Sequence, residues 1–153
     1  MGGVTYTVSC PECGKVYEID YGATALYNPV SLFVTSTENG GRPLLEFLVS
    51  SKKIRKEAFE LAEQGYTLDF DYEHKLYYCR KCRKIYSRFY FRLYKRNSDH
   101  TTDSYEPKYI CCRCHNQLEQ IEHDDCHNIE VSCRCGKTFT LDIDSDDEPL
   151  EWM

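Results

Sequence analysis

The chain has 153 residues, 41% hydrophobic and 29% charged, which implies one or two small domains around a modest core. No apolar run reaches the roughly 20 residues of a membrane span. The opening Met1-Gly2-Gly3-Val4-Thr5-Tyr6 lacks a basic-then-apolar leader, and Tyr6 stands where a myristoylation pattern wants Ser or Thr, so a cytoplasmic protein is expected. The net charge of −6 is local: Asp142, Asp144, Asp146, Asp147, Glu148 and Glu151 carry it without a base between them, and the rest of the chain is formally neutral.

Ten cysteines in a chain expected to stay reduced point to metal ligation rather than to a disulfide framework. Eight of them form four close pairs. The first is Cys10-Pro11-Glu12-Cys13-Gly14-Lys15, followed by an alternating strand with Tyr17 and Ile19 facing inward. Next come Val30 to Val34 and Leu44 to Val49, separated by Asn39-Gly40-Gly41. They read as a β-hairpin, or alternatively the second run opens a helix. Ser50 or Ser51 caps a helix running to about Gln64, with Ile54, Ala58, Leu61 and Ala62 on one face and Gly65 at its end.

The second pair, Cys79 and Cys82, opens a basic stretch. Residues 75–96 contain Lys75, Arg80, Lys81, Arg83, Lys84, Arg88, Arg92, Lys95 and Arg96 but no acid. Read as one strand from Ile85 to Tyr94, this stretch puts Ile85, Ser87, Phe89, Phe91 and Leu93 on a core face. Tyr86, Arg88, Tyr90, Arg92 and Tyr94 then form an outer stripe, continued by Lys95 and Arg96. Alternating aromatic and guanidinium groups can stack on bases and neutralise phosphates, so single-stranded nucleic acid or a nucleoprotein is the expected ligand. A bland reading competes, in which the arginines pair with local carboxylates and the tyrosines cover neighbouring strands.

Residues 97–107 are polar and turn-forming, and read as an exposed loop inserted at a hairpin tip. They lengthen the gap before the third pair, Cys111 and Cys114, beyond the roughly 15–20 residues usual between the halves of a four-cysteine site. Cys112 can replace Cys111 by a register shift. The fourth pair is Cys133-Arg134-Cys135-Gly136-Lys137, one residue shorter, followed by Phe139, Leu141 and Ile143 on one strand face. Val8 to Asp20 resembles Val131 to Asp142, so Cys10, Cys13, Cys133 and Cys135 are expected to form one outer site, with Cys126 or His127 as a substitute ligand. Cys79, Cys82, Cys111 and Cys114 form the inner one. A four-thiolate sphere suits structural zinc and leaves no position for substrate, giving two zinc ions per chain. Iron in the manner of rubredoxin is the competing metal.

The four knuckles and their strands, with Cys10-Pro11-Glu12-Cys13-Gly14 as the first, resemble the zinc ribbon group. The resemblance says little about residues 21–75. It implies small antiparallel sheets over each metal and a role in recognition. The expected architecture is a β-rich α+β fold with two nested ribbons. Residues 1–20 with 126–145 make the outer ribbon, 21–74 a hairpin-and-helix insertion, 75–125 the inner ribbon and 146–153 an acidic tail; Asp142 to Glu151, with Trp152, folds onto the basic stripe or a partner's basic surface, or stays a solubilising end. No nucleophile elbow, phosphate loop or catalytic histidine spacing is present, so a non-catalytic binding module is expected, with a protein adaptor or an iron electron carrier as alternatives.

Overall fold

A computed structural model describes residues 3–22, 32–33, 42–122, 129–141 and 150–152. The fold is strand-rich with one main helix. Eleven strands lie among these residues: β1 (Gly3–Ser9), β2 (Val16–Tyr21), β3 (Thr67–Leu68), β4 (Glu73–Cys79), β5 (Lys84–Tyr90), β6 (Leu93–Arg96), β7 (Thr102–Tyr105), β8 (Glu119–Ile121), β9 (Glu130–Ser132), β10 (Thr138–Thr140) and β11 (Leu150–Trp152). All their pairings are antiparallel, in sheets ordered β11-β1-β2, β10-β9, β3-β6-β7 and β5-β4-β8. Among the described residues, α1 (Leu45–Leu48) and α2 (Lys52–Glu63) precede the central strands.

The β5-β4-β8 sheet is the shared wall of the molecule. Side chains alternate across a strand, so β4 presents Leu76 and Tyr78 to one side and Tyr77 and Cys79 to the other. Leu76 and Tyr78 join Val8, Ile19, Val131 and Leu141 in one buried cluster. Tyr77 and Cys79 join Leu45, Ala58, Phe91 and Leu118 in another. The central sheet therefore separates β1, β2, β9 and β10 from the helical segment. Polar links fasten the first side to the sheet edge: Gly22 and His74 exchange both backbone hydrogen bonds at 2.8 and 2.7 Å, and the Ser87 hydroxyl donates to the Asp20 carbonyl.

The helix follows its sequence signals. The Ser51 hydroxyl accepts from the Ile54 N–H at 3.3 Å, Ile54 and Ala58 are buried, and the chain leaves through Gly65 at φ +95°. Leu44 to Val49 does not form a strand. Leu45–Leu48 makes a helical turn that buries Leu45 in the same core cluster as Ile54 and Ala58 of α2, so the helical alternative holds for this run. Val30, Ser31 and Val34 lie outside the described residues. Leu32 is buried, and the Phe33 ring packs edge-on against Phe59 and Phe91.

Two further expectations need correction. The strand from Ile85 to Tyr94 is broken at Phe91 and Arg92. Phe91 is fully buried in the helix-side core, and the Arg92 carbonyl accepts from Asp69 N–H, which swings the following strand into a different sheet. The polar excursion at 97–107 does sit at a hairpin tip, but the tip loop is only 97–101: Thr102–Tyr105 is strand and pairs with β6 from Leu93↔Tyr105 to Arg96↔Thr102. Its β7 strand exposes Thr102, Asp103 and Ser104, so no hydrophobic alternation marked it. At the C-terminal end, Leu150–Trp152 pairs with the β1 edge, not with the basic stripe. Ile143 and residues 142–149 lie outside the described residues.

Candidate metal centres

Each centre is built from two knuckles, and each knuckle must reverse the chain tightly enough to aim two sulfurs at one point. The residue just after the second cysteine does this by taking a positive φ: Gly14 at +76°, Arg83 at +54°, His115 at +63° and Gly136 at +90°. Glycine adopts this region freely, whereas Arg83 and His115 pay a conformational penalty of about 1 kcal/mol or more. Backbone bonds then close the loops. Cys10 N–H donates to the Lys15 carbonyl at 2.9 Å, Cys111 N–H to Asn116 at 2.8 Å and Cys133 N–H to Lys137 at 2.8 Å. The last closure spans one residue fewer, which accommodates the shortened Cys133-Arg134-Cys135 knuckle.

The structure brings Cys10, Cys13, Cys133 and Cys135 together, and separately Cys79, Cys82, Cys111 and Cys114. Within each group all four sulfurs lie within 4.8 Å of one another. The Cys13–Cys133 and Cys79–Cys114 sulfur separations are 3.4 Å, and Cys10–Cys135 is 3.9 Å. A tetrahedron with metal–sulfur bonds of about 2.3 Å has sulfur–sulfur edges of about 3.8 Å, so these donor sets fit a metal ion of that type. Both are compatible with sites of the ribbon kind. Cys112 is exposed and outside the inner group, and Cys126 and His127 lie outside the described residues.

The electrostatics of the sulfurs also call for a cation. The Tyr17 hydroxyl, followed by the Cys135 N–H, holds Cys133 down to about 6. Burial pushes Cys111 up, but the Tyr86 hydroxyl and the N–H groups of Cys114 and Arg113 outweigh it and bring the thiol down to about 6. Their neighbours move the other way. Hydrogen bonding to Cys114 pushes Cys82 up to about 12; at Cys13 the Lys15 N–H pulls down, yet the Cys133 sulfur and its neighbours prevail and raise it to about 11. Four thiolates at this spacing repel one another and cannot all ionise without a positive ion among them.

In sequence Tyr17 reads as an inward-facing strand residue and Tyr86 as part of the outer stripe; neither is assigned there to a metal centre, where the structure brings both hydroxyls. Tyr17 Oη donates to Cys133 Sγ at 3.1 Å, and Tyr86 Oη lies 3.3 Å from Cys111 Sγ. The signal was legible as a recurrence of Cys10-Pro11-Glu12-Cys13-Gly14-Lys15-Val16-Tyr17 in Cys79-Arg80-Lys81-Cys82-Arg83-Lys84-Ile85-Tyr86. The hairpins match in register too: Val8 pairs with Tyr17 and Ser9 with Val16, as Tyr77 pairs with Tyr86 and Tyr78 with Ile85 one step further in.

The basic stripe is not a free row. Tyr90 is 7% exposed, its hydroxyl donates to Glu106 at 2.8 Å, and Lys75 Nζ sits 4.1 Å from its ring centre. Arg88 lies over the Tyr86 ring at 4.7 Å and donates to the Ser87 carbonyl. Arg92 pairs with Asp69 and lies 5.9 Å from the half-buried Tyr94 ring. Lys95 donates to the Gln64 carbonyl at 2.9 Å, and Arg96 is exposed. Nearby, Arg80 pairs with Glu119 and Arg83 with Glu130. Burial and internal pairing thus occupy most of the groups expected to face a ligand. No helix among the described residues is long and apolar enough to cross a membrane. No family model, curated protein or solved structure matches the chain.

Proposed function

We propose that this protein is a non-catalytic recognition module whose two four-cysteine centres hold structural zinc. The observation that carries the reading is the pair of four-cysteine groups whose sulfurs lie within 4.8 Å of one another, because a metal closed off by four sulfurs offers neither a water to activate nor a place for substrate. Zinc is favoured over iron for a fold-holding role. Elemental analysis of the purified full chain should give two zinc ions per chain, and the red colour of ferric four-thiolate iron would displace zinc from the proposal.

A protein partner is the better-supported ligand. Tyr90 cannot stack on a base from its buried position, and Arg92 is committed to Asp69. Phe70 is 95% exposed on the turn before β4, where an aromatic anchor suits a protein pocket. Nucleic acid is retained as the second reading on the exposed Arg96 and the half-buried Tyr94. Fluorescence anisotropy with labelled single-stranded RNA and DNA at low salt separates them. Absence of binding is the expected result. Binding weakened by both Tyr94→Ala and Arg96→Ala would reinstate the nucleic-acid reading.

A further inference from the structure

Beyond the ligands themselves, we infer that Tyr17 and Tyr86 are paired positioning residues that set the donor strength of one sulfur in each metal centre. This rests on the reading of both cysteine groups as metal sites. The two hydroxyls arrive from the same place in the two units, the strand that follows the first knuckle, and each reaches the first cysteine of the opposite knuckle. Once that sulfur is a thiolate it has no proton to give, so the hydroxyl donates. An O–H···S bond draws electron density from the sulfur, weakens its repulsion of the other three and makes it a poorer nucleophile.

The surroundings strengthen the same effect. A cation faces each ring, Lys15 Nζ at 6.0 Å from Tyr17 and the Arg88 guanidinium at 4.7 Å from Tyr86, and a cation on the ring face makes the phenol a better donor. At the outer site the Arg134 N–H donates to Tyr17 Oη at 3.4 Å, which fills an oxygen lone pair and leaves the hydroxyl proton for Cys133. In the inner centre the corresponding amide, from Arg113, reaches Cys111 Sγ directly at 3.5 Å. The hydroxyl thus supplies Cys133 with a donor that the shortened knuckle diverts. The two tyrosines differ in one respect: Tyr86 Oη also lies 3.4 Å from Cys112 Sγ, where either atom can be the donor, whereas Tyr17 serves one cluster sulfur.

The test uses the full chain loaded with cobalt(II), whose sulfur-to-metal charge-transfer band reports donor strength. Tyr17→Phe keeps the ring and removes the hydroxyl. It should move the band of the outer site to lower energy, weaken metal retention there by about 10-fold or more in competition with a chromophoric chelator, and speed alkylation of Cys133 by iodoacetamide. Tyr86→Phe should move the inner-site band in the same direction and speed alkylation of Cys111. Cys112→Ala should leave both metals bound, because Cys112 lies outside the inner group of four sulfurs. Two bound metals with bands and retention unchanged in both phenylalanine variants would overturn this inference and leave the metal sites standing. A wild-type chain that takes up neither cobalt nor zinc would overturn both.

Discussion

The backbone N–H of Ser132 donates to the Arg83 carbonyl at 2.7 Å, so the return strand of one metal centre is anchored on the knuckle of the other. Lys84 Nζ adds a bond to the Ser132 carbonyl at 2.8 Å, and the Tyr78 hydroxyl reaches the Glu130 carbonyl at 2.6 Å. The outer unit's buried cluster also packs on Leu76 and Tyr78 of β4, the strand that ends in Cys79, so loss of the inner centre should disturb the outer. If both centres hold the proposed zinc, Cys79→Ser should therefore reduce it in both, while Cys135→Ser should cost only the outer ion. Zinc content per chain, with hydrogen exchange on β4 and β5, checks this. Full outer occupancy in Cys79→Ser would show that these bonds do not couple the sites.

Backbone conformation at the knuckles separates the four turns. Arg83→Gly and His115→Gly relieve a left-handed conformation, although Arg83→Gly also surrenders an exposed ion pair to Glu130 worth about 0–1 kcal/mol. His115→Gly should stabilise by up to about 1 kcal/mol, and Gly14→Val and Gly136→Val should destabilise by about 1–2 kcal/mol. Open space surrounds the Cβ position at both glycines, so the loss comes from φ and not from a clash. Denaturant melts of the zinc-loaded variants measure the order.

The main helix depends on one side-chain cap. Ser51→Ala removes the acceptor of the Ile54 N–H and should cost about 1 kcal/mol, with Ser51→Asp recovering most of it. Equal urea midpoints for Ser51→Ala and wild type would contradict the capping role.

Leu76 and Phe70 make a contrasting pair. Leu76 is fully buried where β4 meets the outer unit, so Leu76→Ala should cost about 2–5 kcal/mol. Phe70→Ala, at an exposed turn, should change stability by no more than about 0.5 kcal/mol. If Phe70 anchors a protein partner, the same substitution should weaken capture of that partner while the melt is unchanged.

Acid should weaken the contact between His74 and its surroundings. Burial lowers the affinity of the His74 imidazole for a proton in the folded state, with Asp20 opposing in part. The unfolded chain then binds the proton more readily, so the contribution of His74 is complete above its unfolded value near 6.5 and declines as pH falls through that value. His74→Phe, which keeps an aromatic ring against Phe89, should flatten the stability profile between about pH 7 and 5.5.

Spacing alone determined the eight cysteines that come together, because two sulfurs on one short turn can reach only a shared point and the repeats matched the halves. The helix was legible for the same local reason: Ser51, the apolar period and Gly65 are read within one segment. What the chain does between Leu93 and Tyr105 was not legible, since β6 and β7 are held by backbone pairing and exposed polar side chains that carry no pattern. The basic stripe shows the converse. Its alternation is real in sequence, but Glu106 and Asp69, which engage Tyr90 and Arg92, are brought up from other segments. Whether an arginine meets solvent or a carboxylate is decided by which distant segment folds beside it, and only the tertiary structure supplies that neighbour.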